Sequence, residues 1–215
     1  MLSLAIHTAM AGCDVALVRD GEVLAKRVEA MRKGQDARLP GLVQACCETA
    51  GINLKEIDRF GVVTGPGSFT GVRVGVAFAR GLALATGAPC LGITSLEAAL
   101  PDGQQGSALV ALPAQKRPPD ITYWTQRFRS GSATGSPEEM DLDALVLLLE
   151  AYPHMVFGDA DALQGALPDL EIRPAQPSAV RAAQLTALFD PDEHPPRPAY
   201  ARAPDAALPK QGGSQ

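Results

Sequence analysis

Residues 64–75 read Thr64-Gly65-Pro66-Gly67-Ser68-Phe69-Thr70-Gly71-Val72-Arg73-Val74-Gly75, a glycine-rich turn between an apolar strand and a long helix. Phe60, Val62 and Val63 lead into it as the short apolar run of a buried strand, and Val72, Val74, Val76, Phe78 and Leu82 leave it at helical spacing. Pro66 fixes one backbone angle, whereas Gly65, Gly67 and Gly71 permit conformations or close approaches that a side chain forbids. Ser68 and Thr70 each stand where a hydroxyl can cap the helix by accepting from its free N–H groups. The expected element is a preformed helix N-terminus with several N–H groups turned outward, able to hold an anion or lock onto another protein.

Generic nucleotide motifs fail here on spacing. A P-loop needs a lysine after its last glycine, but Val72 and Arg73 follow Gly71. The glycines at 65, 67 and 71 are one residue too widely spaced for the dinucleotide fingerprint, and no acidic residue ends the next strand at Leu91 to Thr94.

Outward from the loop, the first hundred residues read as alternating strands and helices. Leu2, Leu4 and Ile6 alternate with smaller residues, Val15 to Val18 follow, and Asp20-Gly21 turns the chain into Val23 to Val28. Leu39, Leu42, Val43, Cys46 and Ala50 form one helical stripe that Gly51 ends, which puts Pro40 in the first turn. After the second helix, Pro89 leads into a strand at Cys90 to Thr94, and Ser95 caps a short helix. The order is β-β-β-α-β-α-β, the half-unit of the actin/sugar-kinase/heat-shock ATPase superfold. Beyond the turn Pro101-Asp102-Gly103, strands are expected at Ala108 to Leu112, Ile121 to Phe128 and Met155 to Phe157. Asp141 or Asp143 starts a helix over Leu142 to Leu149, and Ser178 caps another to about Leu188. The segment Pro113 to Asp120, with Pro118-Pro119, reads as a loop, and the strands are few. Residues 1–100 therefore form an N-terminal lobe, 101–190 a smaller, abbreviated one, and 191–215 a proline-rich tail, surface-bound or partly disordered, with a short strand at Tyr200.

The 215 residues suffice for a real core, and a net charge of -5 with pI near 5.2 gives no basic footprint for direct, tight nucleic-acid binding. Cys13, Cys46, Cys47 and Cys90 have neither zinc nor secreted-framework spacing and read as small buried hydrophobes. No basic residue precedes the five-residue apolar run Leu2 to Ile6, and Ala144 to Leu149 is too short to span a bilayer, so the cytoplasm is the expected location, without membrane contact.

The run GPGSFTGVRVG, followed by Ala79-Arg80-Gly81-Leu82-Ala83-Leu84, resembles the signature of the TsaB (YeaZ) family, bacterial partners of the TsaD enzyme in making threonylcarbamoyladenosine on tRNA. Ile6-His7-Thr8-Ala9 with Val15-Ala16-Leu17 resembles that family's opening strand and turn, and Tyr200-Ala201-Arg202-Ala203-Pro204-Asp205 its closing segment. The resemblance implies an α/β, ribonuclease H-like fold of two lobes and a subunit without catalytic residues. It would activate a TsaD-type enzyme that modifies adenosine 37 in tRNAs reading codons that begin with A. A TsaE-type ATPase would join, tRNA would be met only through the complex, and ATP and metal would sit on partner subunits, with no cofactor in the isolated chain.

Where TsaB proteins usually show Asp-Thr, this chain has His7-Thr8, a poor magnesium ligand and on balance a packed or surface histidine. Metal-binding relatives carry paired histidines on the helix corresponding to Gln35–Ala50, but no histidine occurs from residue 8 to 153. Ser68 lacks the nucleophile-elbow context. The competing class is an enzyme in its own right, a small-molecule kinase or an M22-type peptidase. Gly71, Gly75, Ala79 and Ala83 recur every four residues beside a core stripe of Val74, Phe78 and Leu82, a groove that either packs on the first helix or receives a partner. TsaB proteins pair through their first two helices with themselves or with TsaD. The resemblance therefore points to an interface of Leu39, Leu42, Val43, Cys46, Gly71, Val72, Gly75, Ala79 and Ala83, serving a TsaD-type partner or a homodimer.

Overall fold

The computed structural model describes residues 1–117, 120–151, 155–164, 167–168 and 170–199. Strands β1 (Leu2–His7), β2 (Cys13–Arg19) and β3 (Glu22–Glu29) form an antiparallel meander; helix α1 (Gln35–Ala50) leads to β4 (Arg59–Val63), and α2 (Phe69–Thr86) leads to β5 (Cys90–Ile93). The sheet order is β3-β2-β1-β4-β5, with β4 parallel to β1 and β5. This is the half-unit expected from the sequence. The hairpin between β2 and β3 turns on Asp20 and Gly21, both at positive φ (51° and 86°), the pairing that matches strand twist.

Helix α1 begins at Gln35 behind a left-handed Gly34 and ends at a left-handed Gly51. Pro40 therefore lies in the second turn, not the first. Its ring nitrogen cannot donate to the Asp36 carbonyl, a loss that is tolerable because both residues are exposed. Past β5, Thr94 rather than Ser95 starts the short 3₁₀ turn Glu97–Ala99. Thr94 Oγ1 accepts from Glu97 N (3.0 Å) and Glu97 Oε2 accepts from Thr94 N (2.7 Å), while Ser95 is fully buried.

The second sheet holds β6 (Ser107–Arg117), β7 (Asp120–Arg129), β8 (Ser132–Ala133), β9 (Glu138–Asp141), β10 (Met155–Gly158) and β11 (Ile172–Pro174), with helices α3 (Leu142–Ala151) and α4 (Ala160–Gln164). Its order is β11-β10-β6-β7-β8, and β9 pairs with β7. The described part of the segment expected as a loop is strand: β6 and β7 pair out to Arg117 and Asp120, with a register shift between Pro113 and Gln115, while Pro118-Pro119 lies outside the described residues. Proline, which cannot donate to a ladder, sits where the ladder is already interrupted. The expectation of few strands is thus corrected. Asp141 caps α3 as expected, accepting from Ala144 N at 2.8 Å.

Helix α5 (Ala179–Leu188), capped by Ser178, returns to the first sheet. Ala182, Ala183 and Leu185 join the core of Leu4, Leu17 and Phe60, and Arg59 donates to the carbonyls of Thr186 (3.2 Å) and Phe189 (2.7 Å). A Cβ at Gly61 would overlap Thr186 Oγ1 and lie 3.2 Å from Ala5 Cβ, so small residues on this face let α5 settle. The first sheet is therefore covered by a helix from the far end of the chain, within the stretch 101–190 expected as the second lobe. The tail then covers edge strand β5: Gly92 N donates to the His194 carbonyl (2.9 Å) and Ala199 N to that of Thr64 (2.8 Å). Tyr200 and the closing segment after it lie outside the described residues. Cys13, Cys46 and Cys47 are buried and Cys90 half-buried, all as free thiols.

Candidate functional site: a helix-pair groove and an inter-sheet cleft

The glycine turn is clasped from within. Ser68 N donates to the Ala9 carbonyl (2.7 Å), Ser68 Oγ accepts from Gly71 N (3.2 Å), and the Thr8 hydroxyl donates to the Gly71 carbonyl (2.7 Å). Gly65 stands at φ 97° before a cis bond to the buried Pro66. Gly67 and Gly71 serve close approach: a Cβ at either would overlap the carbonyl oxygen of Ala9 or Thr8. Ser68 is the cap, whereas Thr70 is exposed within the first turn of α2. Of the N–H groups at this end, Ser68 N is turned into the fold toward Ala9, and Gly71 N is taken by the Ser68 cap.

The small-residue stripe also faces inward. Gly71, Val72, Gly75, Ala79 and Ala83 are buried, and α2 packs on β1 and β4. A Cβ at Gly75 would overlap Thr8 Oγ1 and lie 3.5 Å from Val62 Cγ2. Leu39, Leu42, Val43 and Cys46 are likewise buried on the side of α1 that meets β2 and β3, with the Cys46 thiol 3.6 Å from the Val15 carbonyl. The stripe is thus buried in the chain's own fold, with Gly71 and Gly75 set against Thr8 and Val62. It is the underside of α2 on its own sheet.

Val74, Phe78 and Leu82, read from sequence as core, are only half-buried and flank α1. Phe78 and Leu82 line a groove of about 520 Å³ with Pro40, Val43, Cys47, Ile52 and Leu54, rimmed by Gln44, Glu48 and Asn53. Burial pushes the Cys47 thiol pKa up, which leaves it an apolar liner rather than a nucleophile. The side chains able to make contacts here sit one flank around from those the periodicity picked out.

A second concavity of about 400 Å³ lies between the two sheets, with His7, Asp14, Met10, Leu112, Asp159 and Gln176 on its walls. His7 is buried, and loss of solvent pushes its pKa down to about 4, so the ring is neutral at pH 7. Burial raises the Asp14 pKa, opposed by a hydrogen bond accepted from Ala179 N (2.7 Å) and by the charge of Lys26. The packed reading of His7 matches its place. Asp14 escaped notice, although a carboxylate inside the apolar run Cys13-Asp14-Val15 was its visible sign. Among the described residues no three His, Cys, Asp or Glu side chains converge on a point that could hold a metal ion. Nor is any described helix long and apolar enough to cross a membrane.

Comparison with known proteins bears on the family and the fold. The family model described as tRNA N6-adenosine threonylcarbamoyltransferase matches residues 24–114, which contain both helices of the groove. The Escherichia coli tRNA threonylcarbamoyladenosine biosynthesis protein TsaB is 42% identical over 96 residues, 45% of this chain and 41% of that protein. The match thus spans less than half of that relative's length. An uncharacterized Mycobacterium tuberculosis protein is 33% identical over 212 residues, covering 94% of this chain and 92% of its own. YeaZ from Pseudomonas aeruginosa has a TM-score of 0.71 at 21% identity, covering 93% of this chain and 99% of that one. ROK hexokinase from Thermus thermophilus has a TM-score of 0.54 at 14% identity, over 87% and 99%. Both share the actin-like α/β fold with two mixed sheets.

Proposed function

The chain belongs to the TsaB/YeaZ family, and on that premise we propose that it is a non-catalytic partner subunit in threonylcarbamoyladenosine formation on tRNA. It docks through the α1–α2 groove onto a TsaD-type enzyme and activates it. The observation that carries this reading is the groove itself. Phe78 and Leu82 form an apolar, half-buried pair between polar rims, the composition of a small interface core. Because the groove lies on one face, the same surface would serve a two-fold homodimer when the partner is absent. A TsaE-type ATPase, tRNA, ATP and the metal then belong to the assembled complex, and the setting is the cytoplasm. Ser68 as a helix cap and the neutral, buried His7 support a silent subunit over a kinase or peptidase.

The test is co-purification with the TsaD-type protein of the same organism, comparing the parent with Phe78→Asp and Leu82→Asp. Both variants should stay folded by circular dichroism, lose the complex and lower tRNA modification in a reconstituted mixture. Folded variants that bind and support modification like the parent would refute the interface. ATP turnover or peptide cleavage by the purified chain alone, abolished by a loop mutation, would refute the silent subunit.

A further inference from the structure

We infer that the crevice at the carboxyl ends of β4 and β5 binds a free α-amino acid as its zwitterion, with the carboxylate on Arg197 and the ammonium group toward Glu193 and Glu97. Topology makes the crevice. Gly61 and Val62 are neighbours on β4 and face opposite sides of the sheet; α5 closes on Gly61 and α2 on Val62. After β4 the chain turns to α2, and after β5 it turns to the 3₁₀ segment Glu97–Ala99, which contacts α5. Two adjacent parallel strands thus send the chain to opposite faces, and in open α/β sheets such a divergence is where ligands bind.

The crevice holds about 480 Å³, within the size of small-molecule sites. The segment 193–199 and the Ser136 turn of the second sheet close it. A Cβ at Gly92 would lie 2.7 Å from the Pro195 carbonyl oxygen, so a glycine in β5 is what lets that segment sit against the strand. Charge then selects the ligand. The charged walls are Glu97, Glu193 and Arg197, and no ion pair joins any of them among the described residues. Glu193 and Arg197 are exposed; Glu97 is half-buried, with Oε2 accepting from Thr94 N. His194 is committed elsewhere, stacked on Phe189 with Nδ1 at the Asp190 carbonyl. A phosphate would meet two carboxylates, a simple cation would leave Arg197 unmatched, and no three described side chains here could hold a metal ion. A ligand with both charges a few bonds apart matches both signs. Ser136, exposed and without a hydrogen bond among the described residues, offers its hydroxyl to a polar side chain.

The experiment titrates the full chain with L-serine, with L-serine methyl ester, which keeps only the positive charge, and with N-acetyl-L-serine, which keeps only the negative one, at one fixed ionic strength. Binding is read by the ¹⁵N–¹H signals of Gly92 and Ala199, whose N–H groups tie the walls together through the His194 and Thr64 carbonyls. L-Serine should move both signals, and each singly charged analogue should bind about 10-fold more weakly, the worth of one hydrogen bond to a charged group. Arg197 and Glu193 are exposed, so their variants should fold as the parent does. Arg197→Gln should weaken L-serine about 10-fold and leave the ester unchanged. Glu193→Gln should weaken the ester without weakening N-acetyl-L-serine. A parent whose two signals stay still at about 10 mM L-serine overturns the proposal. So do analogues that bind as well as L-serine, and a folded Arg197→Gln chain that binds L-serine as the parent does.

Discussion

Two glycines in one helix, six residues apart, should answer the same substitution with opposite signs. At Gly81 an added Cβ meets nothing within 4 Å, so Gly81→Ala gains only the helix preference of alanine, about 1 kcal/mol. For a chain of this size that is a rise of roughly 2–4 °C in melting temperature. At Gly75 the same Cβ would overlap Thr8 Oγ1, the hydroxyl that donates to the Gly71 carbonyl at 2.7 Å. Relief requires Thr8 to rotate, losing that buried hydrogen bond (about 0.5–1.5 kcal/mol), or α2 to move off the sheet against the cost of overpacking (about 1–3 kcal/mol). With Val62 Cγ2 only 3.5 Å away the two costs combine, and together they exceed the gain in helix preference. Gly75→Ala should therefore lose about 1–3 kcal/mol net, a fall of roughly 2–12 °C. Gly75→Leu, with three further carbons, should not give a stable monomer. Differential scanning calorimetry on the two alanine variants decides it. If Gly75→Ala melts higher, as Gly81→Ala should, then α2 does not rest on the β1–β2 turn and the inward placement of the small-residue stripe is wrong.

Stability should fall as pH drops from 6.5 toward 4, because over that window the unfolded chain takes up a proton at His7 that the folded chain, with its pKa near 4, refuses. The full effect is about 3 kcal/mol; the raised pKa of Asp14 opposes it only at the acid end, where the folded chain binds that proton more readily. His7→Gln should flatten the melting-temperature profile between pH 7 and 4, and an unchanged slope would show that His7 titrates normally. Residues 1–100 expressed alone should lack a cooperative melting transition, since α5 covers the core of their sheet; a sharp transition would show that α5 is dispensable. Elemental analysis of the purified chain should find no stoichiometric zinc or iron, and about one tightly held ion per chain would contradict the silent-subunit reading.

The first lobe was legible because its signals are local. Asp20-Gly21, Gly51, Ser68 and the alternation in β1 each act within a few residues, and each stands in the structure where it was expected. Ser178 was equally legible as the start of α5, but nothing between Ala179 and Leu188 tells which sheet the helix will cover. That choice is made by Ala5 and Gly61, over a hundred residues earlier, whose small side chains create the seat. The second sheet was harder for a related reason. Its strands β8 and β11 have two and three residues, too few for any period to show, and Pro113 within β6 reads as a strand breaker.

The misplaced interface has a sharper cause. A row of small residues every fourth position marks a helix face that something approaches closely, and the physics of that approach is the same whether the neighbour is another chain or the helix's own sheet. On α2 the approaching groups are Thr8 and Val62, both far from Gly75 in sequence, so the period identifies the face but not its occupant. What distinguishes the cases is the adjoining flank. If a partner covered the small stripe, Val74, Phe78 and Leu82 would be the residues turned to the sheet and fully buried. They are instead half-buried beside α1, while Gly75 and Ala79 are enclosed. With the stripe used internally, the apolar area left for a partner is that flank together with the exposed Pro40 of α1, which is why the docking variants belong at Phe78 and Leu82 and a leucine at Gly75 would test the fold instead.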